Sequence, residues 1–362
     1  MGVTQIAFHL TDRCQLDCKH CLRDPAQKPL DLPLEILQSV LDQVKRLHGT
    51  MHVSLTGGEP TLHPAFLDVV DAIGERAMTW HMISNGRSFP WLLKSLAGRP
   101  NARRAMKHVY FSLDGADEPT HDKIRGPGSF REVMSACALA SVHEIPFALQ
   151  LVVNALNHHQ LEAVGMLAAQ LGAMRVSFCM LQPTGTKHDD VLKLPIGQWH
   201  AIADRIDRLT QILRIEVRAP EGWPTKQPFH VCEIFQSVQL HVDVEGRMNL
   251  CCQHAGIPAS SDAPASGESD VVADLRTTSV AEAQRRLLGV IHRAQAAKLA
   301  QIDAEKFGPW DHFGCNWCLK YFGKPHWEEA GATGPAAERE RWIGAWGEPK
   351  NQSPRVRLPL AP

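Results

Sequence analysis

Apolar residues recur along the first half of the chain in two alternating rhythms. Short runs rich in β-branched and aromatic residues, at 3–10, 51–56, 79–84, 106–113, 146–153 and 174–181, have the length and composition of strands. Between them the spacing widens to that of a helix. In the first such stretch Leu34, Leu37, Val40, Leu41, Val44 and Leu47 fall on one face, with Pro33 near the start and Gly49 at the end. Strand and helix alternating six times predict a parallel sheet with helices outside it. Six units are too few for a complete eight-stranded barrel. The α/β pattern therefore fits a doubly wound sheet or an open, partial barrel, and in both ligands gather at the carboxyl ends of the strands.

After residue 185 the rhythm changes. Residues 186–229 read as a connector, with a helix at 196–213 and a stretch punctuated by Pro220, Pro224 and Pro228. Val238, Leu240, Val242 and Val244 then alternate with polar residues, Glu245 and Gly246 make a turn, and Met248 and Leu250 resume the alternation, which predicts a hairpin. Residues 256–270, rich in Ala, Ser, Pro and Gly, read as a mobile loop. Ser279 with Glu282 three residues on forms a capping box for a helix running to about residue 302. The expected organisation is an α/β domain at 1–185, the connector, a small α+β domain at 230–328, and a tail at 329–362. That tail carries a helix-compatible stretch at 336–346 and no evident chemistry.

A formal charge of −1 and a pI near 7.0 give no electrostatic case for nucleic acid or an anionic membrane. No apolar run is long enough to span a bilayer, and the chain enters its first strand without a basic, then apolar, leader, so a soluble cytoplasmic protein is expected. In that compartment ten cysteines argue for metal sites over disulfides. Cys14, Cys18, Cys21, Cys232, Cys251, Cys315 and Cys318 hold ligand-like positions, leaving Cys137, Cys179 and Cys252.

Cys14, Cys18 and Cys21 lie within eight residues, directly after the first strand. Three thiolates are one short of a closed zinc site, whereas on a cubic four-iron cluster they leave one iron open. This C-x3-C-x2-C loop resembles the cluster loop of the radical S-adenosylmethionine (SAM) superfamily. The loops at the following strand ends resemble the same superfamily in the same order. Gly57, Gly58, Glu59 and Pro60 match its GGEP motif. Ser84-Asn85-Gly86, the Ser112–Gly115 loop and the stretch from His121 to Arg125 follow, then Asn154 and Leu181. The resemblance implies a partial (β/α)6 TIM-like barrel and a [4Fe–4S] cluster with SAM on the open iron. It implies SAM contacts at Gly57, Gly58, Glu59 and Pro60 toward the amino group, with Asn85 beside them. Ser112 and Arg125 would reach the ribose or carboxylate, and Asn154 and Leu181 would lie near the adenine. Each of these loops is, on its own, an ordinary strand-end cap.

Cys232 and Cys251 flank the predicted hairpin, and Cys315 and Cys318 form a C-x2-C knuckle after the helix. This arrangement resembles the shortened SPASM module called the twitch domain, which implies one auxiliary [4Fe–4S] cluster with four cysteine ligands. Zinc is the alternative occupant, since hairpin plus knuckle is also a zinc-ribbon pattern. Cys252 is an alternative ligand to Cys251.

The resemblance implies reductive cleavage of SAM to a 5′-deoxyadenosyl radical that removes a substrate hydrogen, fed by an external one-electron reductant of flavodoxin or ferredoxin type. With the auxiliary cluster accepting an electron, it implies oxidative modification of a peptide or protein side chain. Because the first strand begins near residue 3, leader recognition would fall to a separate peptide-binding protein or to the barrel mouth. The alternatives are small-molecule alcohol dehydrogenation in natural-product biosynthesis and radical epimerisation with a cysteine hydrogen donor, for which Cys179 and Cys252 are the candidates. A metal-stabilised binding module is the non-enzymatic alternative. His9, on the first strand, is a further candidate for the substrate side of the site.

Overall fold

The structure, a computed structural model, describes residues 3–23, 28–186, 188–225, 227, 229, 232–255 and 266–328. The expected tail at 329–362 lies outside the described residues, as do positions 256–265 of the expected loop. Among the described residues no helix is long and apolar enough to cross a membrane.

Six strands, β1 (Gln5–Thr11), β2 (His52–Gly57), β3 (Thr79–Ser84), β4 (Met106–Ser112), β5 (Phe147–Val153) and β6 (Arg175–Met180), pair in parallel in chain order. A doubly wound sheet would reverse its order at a switch point. Unbroken order from β1 to β6 is that of a barrel opened along one side, which decides between the two folds that periodicity left open. Between the strands run α1 (Leu34–His48), α2 (Phe66–Glu75), α3 (Phe89–Leu96), α4 (Pro100–Ala105), α5 (Glu118–Arg125), α6 (Ser129–Val142) and α7 (Leu161–Gln170).

The core lies between strands and helices. Ile6, Phe8 and Leu10 of β1, Val53 and Leu55 of β2, Trp80 and Met82 of β3, and Val109 and Phe111 of β4 are fully buried. So are Leu37, Val40, Leu41 and Val44, the stripe of α1 that the sequence predicts. Each such side chain contributes about 1.5–3 kcal/mol on leaving water. Successive side chains of a strand point to opposite faces. The other face of this sheet carries His52, Ser54 and Thr56 on β2, His81 and Ile83 on β3, His108, Tyr110 and Ser112 on β4, Gln150 on β5, and Arg175, Ser177 and Cys179 on β6. The concave side is therefore polar along most of its length.

The sheet continues past both ends of the six-strand set. After α8 (Asp189–Leu192) and α9 (Ile196–Ile212), β7 (Glu216–Arg218) pairs in parallel with β6. β8 (Gln239–Val242) pairs in parallel with β1, and β9 (Arg247–Asn249) runs antiparallel to β8. After α10 (Cys252–Ala255), β10 (Val271–Asp274) pairs antiparallel with β9. The predicted hairpin is present, but its first strand stops at Val242 instead of Val244. The Asp243 carboxylate accepts the backbone N–H of Glu245 (3.0 Å) and of Arg247 (2.9 Å), which bends the chain early, and Gly246 completes the turn at φ +75°. The long helix α11 (Val280–Asp303) starts where the capping box predicts, with Ser279 Oγ accepting the Glu282 N–H, and α12 (Gly314–Tyr321) follows.

Candidate active site

The cluster loop leaves β1 and crosses the carboxyl ends of the strands against the Gly57–Gly58 turn. Gly58 N–H donates to Thr11 O (2.7 Å) and Glu59 N–H to Arg13 O (2.8 Å). A Cβ on Gly58 would stand 2.3 Å from Arg13 O, and one on Gly57, at φ +132°, 2.5 Å from Thr11 O. Both glycines are required by backbone approaching backbone. Arg13 is braced in turn by Asp31, which also accepts the Thr11 hydroxyl at 2.6 Å.

The three thiols face one cavity, and two of them meet hydrogen-bond donors. Leu16 N–H lies 3.5 Å and Asn85 Nδ2 3.8 Å from Cys14 Sγ, and Arg125 Nη1 lies 3.8 Å from Cys18 Sγ. Burial pushes the Cys18 thiol up to about 12 and raises that of Cys14. A buried thiol surrounded by donors loses its proton when a cation takes the proton's place. This donor set fits an iron–sulfur centre held by Cys14, Cys18 and Cys21.

A buried ionic knot underlies the loop. Asp114 Oδ2 lies 2.6 Å from His20 Nε2 and accepts Arg125 Nε at 2.5 Å, while Oδ1 accepts the Val152 N–H at 2.8 Å. Asp114 is fully buried, yet the Arg125 guanidinium and His20 hold its carboxyl well below the usual range. His121 Nδ1 lies 3.1 Å from Asp114 N, and burial lowers its pKa to about 4.

The cavity, about 290 Å³, is lined on the loop side by the three cysteines, Gly57, Gly58, Asn85, Ser112 and Arg125. Of the residues assigned by resemblance to SAM, Glu59, Pro60, Asn154 and Leu181 are absent from this lining. Glu59 is buried, its carboxylate accepting Ser84 Oγ (3.0 Å), Asn85 N–H (2.9 Å) and Thr61 Oγ1 (2.8 Å), so it ties the second strand end to the third; burial raises its pKa. Pro60 is buried in the following turn. Asn154 caps its own loop through Val152 O and Leu156 N–H, and Leu181 O accepts Trp327 Nε1 at 3.3 Å.

The far wall carries Gln150, Cys179, Gln182, His241, Cys252 and Gln253, and among the described residues no Asp or Glu lines the cavity. Burial pushes the Cys179 thiol up to about 12. Cys252 lines the same space, and burial raises its thiol pKa. His9 lies at the rim with Nε2 3.2 Å from Asp12 Oδ1. His241 is a residue that sequence reasoning missed. It lies opposite Ala7 of β1, is 3% exposed, and among the described residues neither buried ring nitrogen has a hydrogen-bond partner. Its only sequence signal is one polar residue in the alternation of β8, which reads as a surface position.

Cys315 and Cys318 lie on α12, Cys251 just after β9, and Cys232 ahead of β8. Near them α11 delivers Lys298, which is 4% exposed and 5.2 Å from the centre of the Trp317 ring. Burial lowers the Lys298 pKa against the pull of the Cys318, Cys232 and Cys315 thiols. A buried ammonium beside thiols suits an anionic thiolate centre. The connector residue Asp189, by contrast, is engaged in structure, its carboxylate accepting the N–H groups of Thr184 and Gly185.

Residues 8–167 match the radical SAM superfamily. The chain carries a radical SAM domain. A radical SAM domain implies a [4Fe–4S] cluster and SAM. Mycofactocin maturase MftC of Mycolicibacterium smegmatis is 30% identical over 190 residues, 51% of this chain and 46% of the relative. PqqA peptide cyclase of Rhizobium meliloti is 25% identical over 262 residues, 70% of this chain and 68% of that one. The chain thus spans about half the length of the maturases it matches. Among solved structures, anSMEcpe with AdoMet and the Kp18Cys peptide superposes with a TM-score of 0.61 at 15% identity, covering 82% of this chain and 84% of that one. Streptococcus suis SuiB bound to its precursor peptide SuiA gives 0.59 at 14%, covering 80% and 66%. These likenesses support the radical SAM fold.

Proposed function

We propose that this chain is a radical SAM enzyme that oxidatively modifies a side chain of a peptide or protein. The observation that carries the reading is the shared cavity: three cluster-type thiols and the Gly57–Gly58 turn on one wall, and neutral polar groups on the other. When bound, the cluster and SAM supply a 5′-deoxyadenosyl radical able to take a hydrogen atom from carbon. The protein's own part is to place that carbon. Gln150, Gln182 and Gln253 offer amide donors and acceptors suited to peptide groups, and a lining without carboxylates disfavours a free amine. Arg125, held by Asp114, fixes a cation at the edge of the cysteine loop. Cys232, Cys251, Cys315 and Cys318 would hold an auxiliary [4Fe–4S] cluster, with Lys298 balancing its charge. The peptide-related names of the maturase and cyclase relatives favour a peptide substrate over a small molecule. An external one-electron reductant and a separate peptide-binding protein belong to the same proposal.

The test is anaerobic. Reconstituted protein with dithionite and SAM is expected to release 5′-deoxyadenosine, and a variant with Cys14, Cys18 and Cys21 changed to alanine is not. Iron near eight per chain, falling to about four in that variant, is expected for two cubane clusters. No nucleoside product from iron-loaded protein would overturn the reading. A peptide encoded beside the gene should lose two hydrogens. A second reading, epimerisation, is favoured by Cys179 and Cys252 lining the same cavity. It requires unchanged mass in water and one deuterium gained in heavy water.

A further inference from the structure

The polar concave face continues below the cavity to the amino ends of the strands, where three histidines meet. His52 of β2, His81 of β3 and His108 of β4 share the face that Thr56, Ile83 and Ser112 present to the cavity, two to four residues further on. His81 and His108 are register partners. One ring nitrogen from each of the three lies within 4.8 Å of the others; among the described residues no other three His, Cys, Asp or Glu side chains do so. His81 is buried, and His52 and His108 are half-buried, so the group has an open side.

The hydrogen bonds around the rings are those of a ligand set. His52 Nε2 and His81 Nδ1 point at one another 2.6 Å apart, sharing a single proton. The opposite nitrogens each meet a hydroxyl: His52 Nδ1 lies 2.8 Å from Thr79 Oγ1, and His81 Nε2 lies 3.0 Å from Ser54 Oγ. If a cation replaces the shared proton, both inner nitrogens offer lone pairs and both outer N–H groups donate to a hydroxyl oxygen. Outer-shell acceptors of this kind fix the tautomer of metal-bound histidine. Opening the inner pair to about 3.3 Å, the spacing two nitrogens take on a tetrahedral zinc, requires the two rings, which lie at 21° to one another, to separate and to swing their lone pairs together. Burial lowers the His81 pKa to about 2 and that of His108 to about 4, so the rings are neutral at neutral pH. Two cations act on the group: Arg175, half-buried and engaged by Glu216 (Nε to Oε2, 2.7 Å) and by the Tyr110 hydroxyl, and Lys107, exposed on β4.

We propose that His52, His81 and His108 form a divalent-metal site, of the borderline class that imidazole prefers and zinc represents, at the end of the barrel opposite the cavity. Bound there, the ion cross-links β2, β3 and β4. The site is independent of the radical chemistry, so neither reading falls with the other.

The probe is zinc, added in equimolar amount to anaerobically reconstituted holoprotein and followed by desalting. About one zinc per chain is expected, with iron unchanged. X-ray absorption at the zinc edge should show nitrogen neighbours at about 2.0–2.1 Å and no sulfur at about 2.3 Å. The double variant His52→Gln/His108→Gln should retain no zinc. Ser54→Ala, which leaves every ligand in place, should bind zinc about 10–100-fold more weakly. A sulfur shell, equal retention by the double variant, or no retention by the wild type would overturn the proposal.

Discussion

Replacing His241 with leucine separates what a buried imidazole costs the fold from what it offers the cavity. Among the described residues neither buried ring nitrogen has a partner, and an unsatisfied buried polar group costs about 1–3 kcal/mol. His241→Leu should therefore be more stable than the wild type by about that amount at pH 7. A second contribution depends on pH. Burial lowers the His241 pKa to about 4, against about 6.5 in the unfolded chain. Between those values the unfolded chain binds the proton and the folded one does not. Stability is complete above about pH 6.5 and falls as pH drops toward 4. From pH 7 to pH 5 the loss is about 2 kcal/mol, and the leucine variant lacks it. Urea unfolding of the iron-free chains, followed by tryptophan fluorescence at the two pH values, measures the difference directly. The gap between variant and wild type should widen by about 2 kcal/mol on acidification, while turnover of the iron-loaded enzyme falls. Parallel loss of stability in both proteins, or a leucine variant less stable at pH 7, would refute the reasoning.

Gly58→Ala drives a methyl group into Arg13 O. With two loop hydrogen bonds at about 1 kcal/mol each and about 1–3 kcal/mol of overpacking, it should lose about 3–5 kcal/mol by chemical denaturation and take up less iron. Gly197→Ala in α9, where a Cβ meets nothing, is the control and should lose no stability. Asp114→Asn leaves the Arg125 guanidinium buried without its carboxylate, so a loss of about 3–5 kcal/mol is expected, read as a lower urea midpoint. Ser279→Ala removes the cap of α11 and should cost about 1 kcal/mol, with iron content unchanged.

Strand length and spacing made the six parallel strands visible, because each buries one apolar face and shows the period that burial imposes. The cysteine loop was visible because its residues are close in sequence. The motif assigns Glu59 to the cofactor; that its carboxylate also accepts Ser84, Asn85 and Thr61 is a tie between strand ends that no local pattern displays. β7 and β10, with three and four residues, are too short to express alternation. The approach of His241 to the cavity depends on β8 pairing with β1, more than 230 residues away, which local sequence does not encode. His52, His81 and His108 escaped for the same reason: they lie on three different strands, and only the pairing of β2, β3 and β4 brings them together.

The pairing of β8 with β1 also determines where the sheet is open. Without it, the seven-residue β1 would present a row of unpaired amides and carbonyls to any passing strand, the geometry that seeds edge-to-edge aggregation. β8, β9 and β10 move that boundary outward to a four-residue strand, and β7, of three residues, closes the other side. Cutting the chain before β8 would thus remove more than Cys251, Cys315 and Cys318. It would expose an adhesive margin beside the cluster loop, and the remaining piece, β1 to β7, would be expected to precipitate when expressed alone.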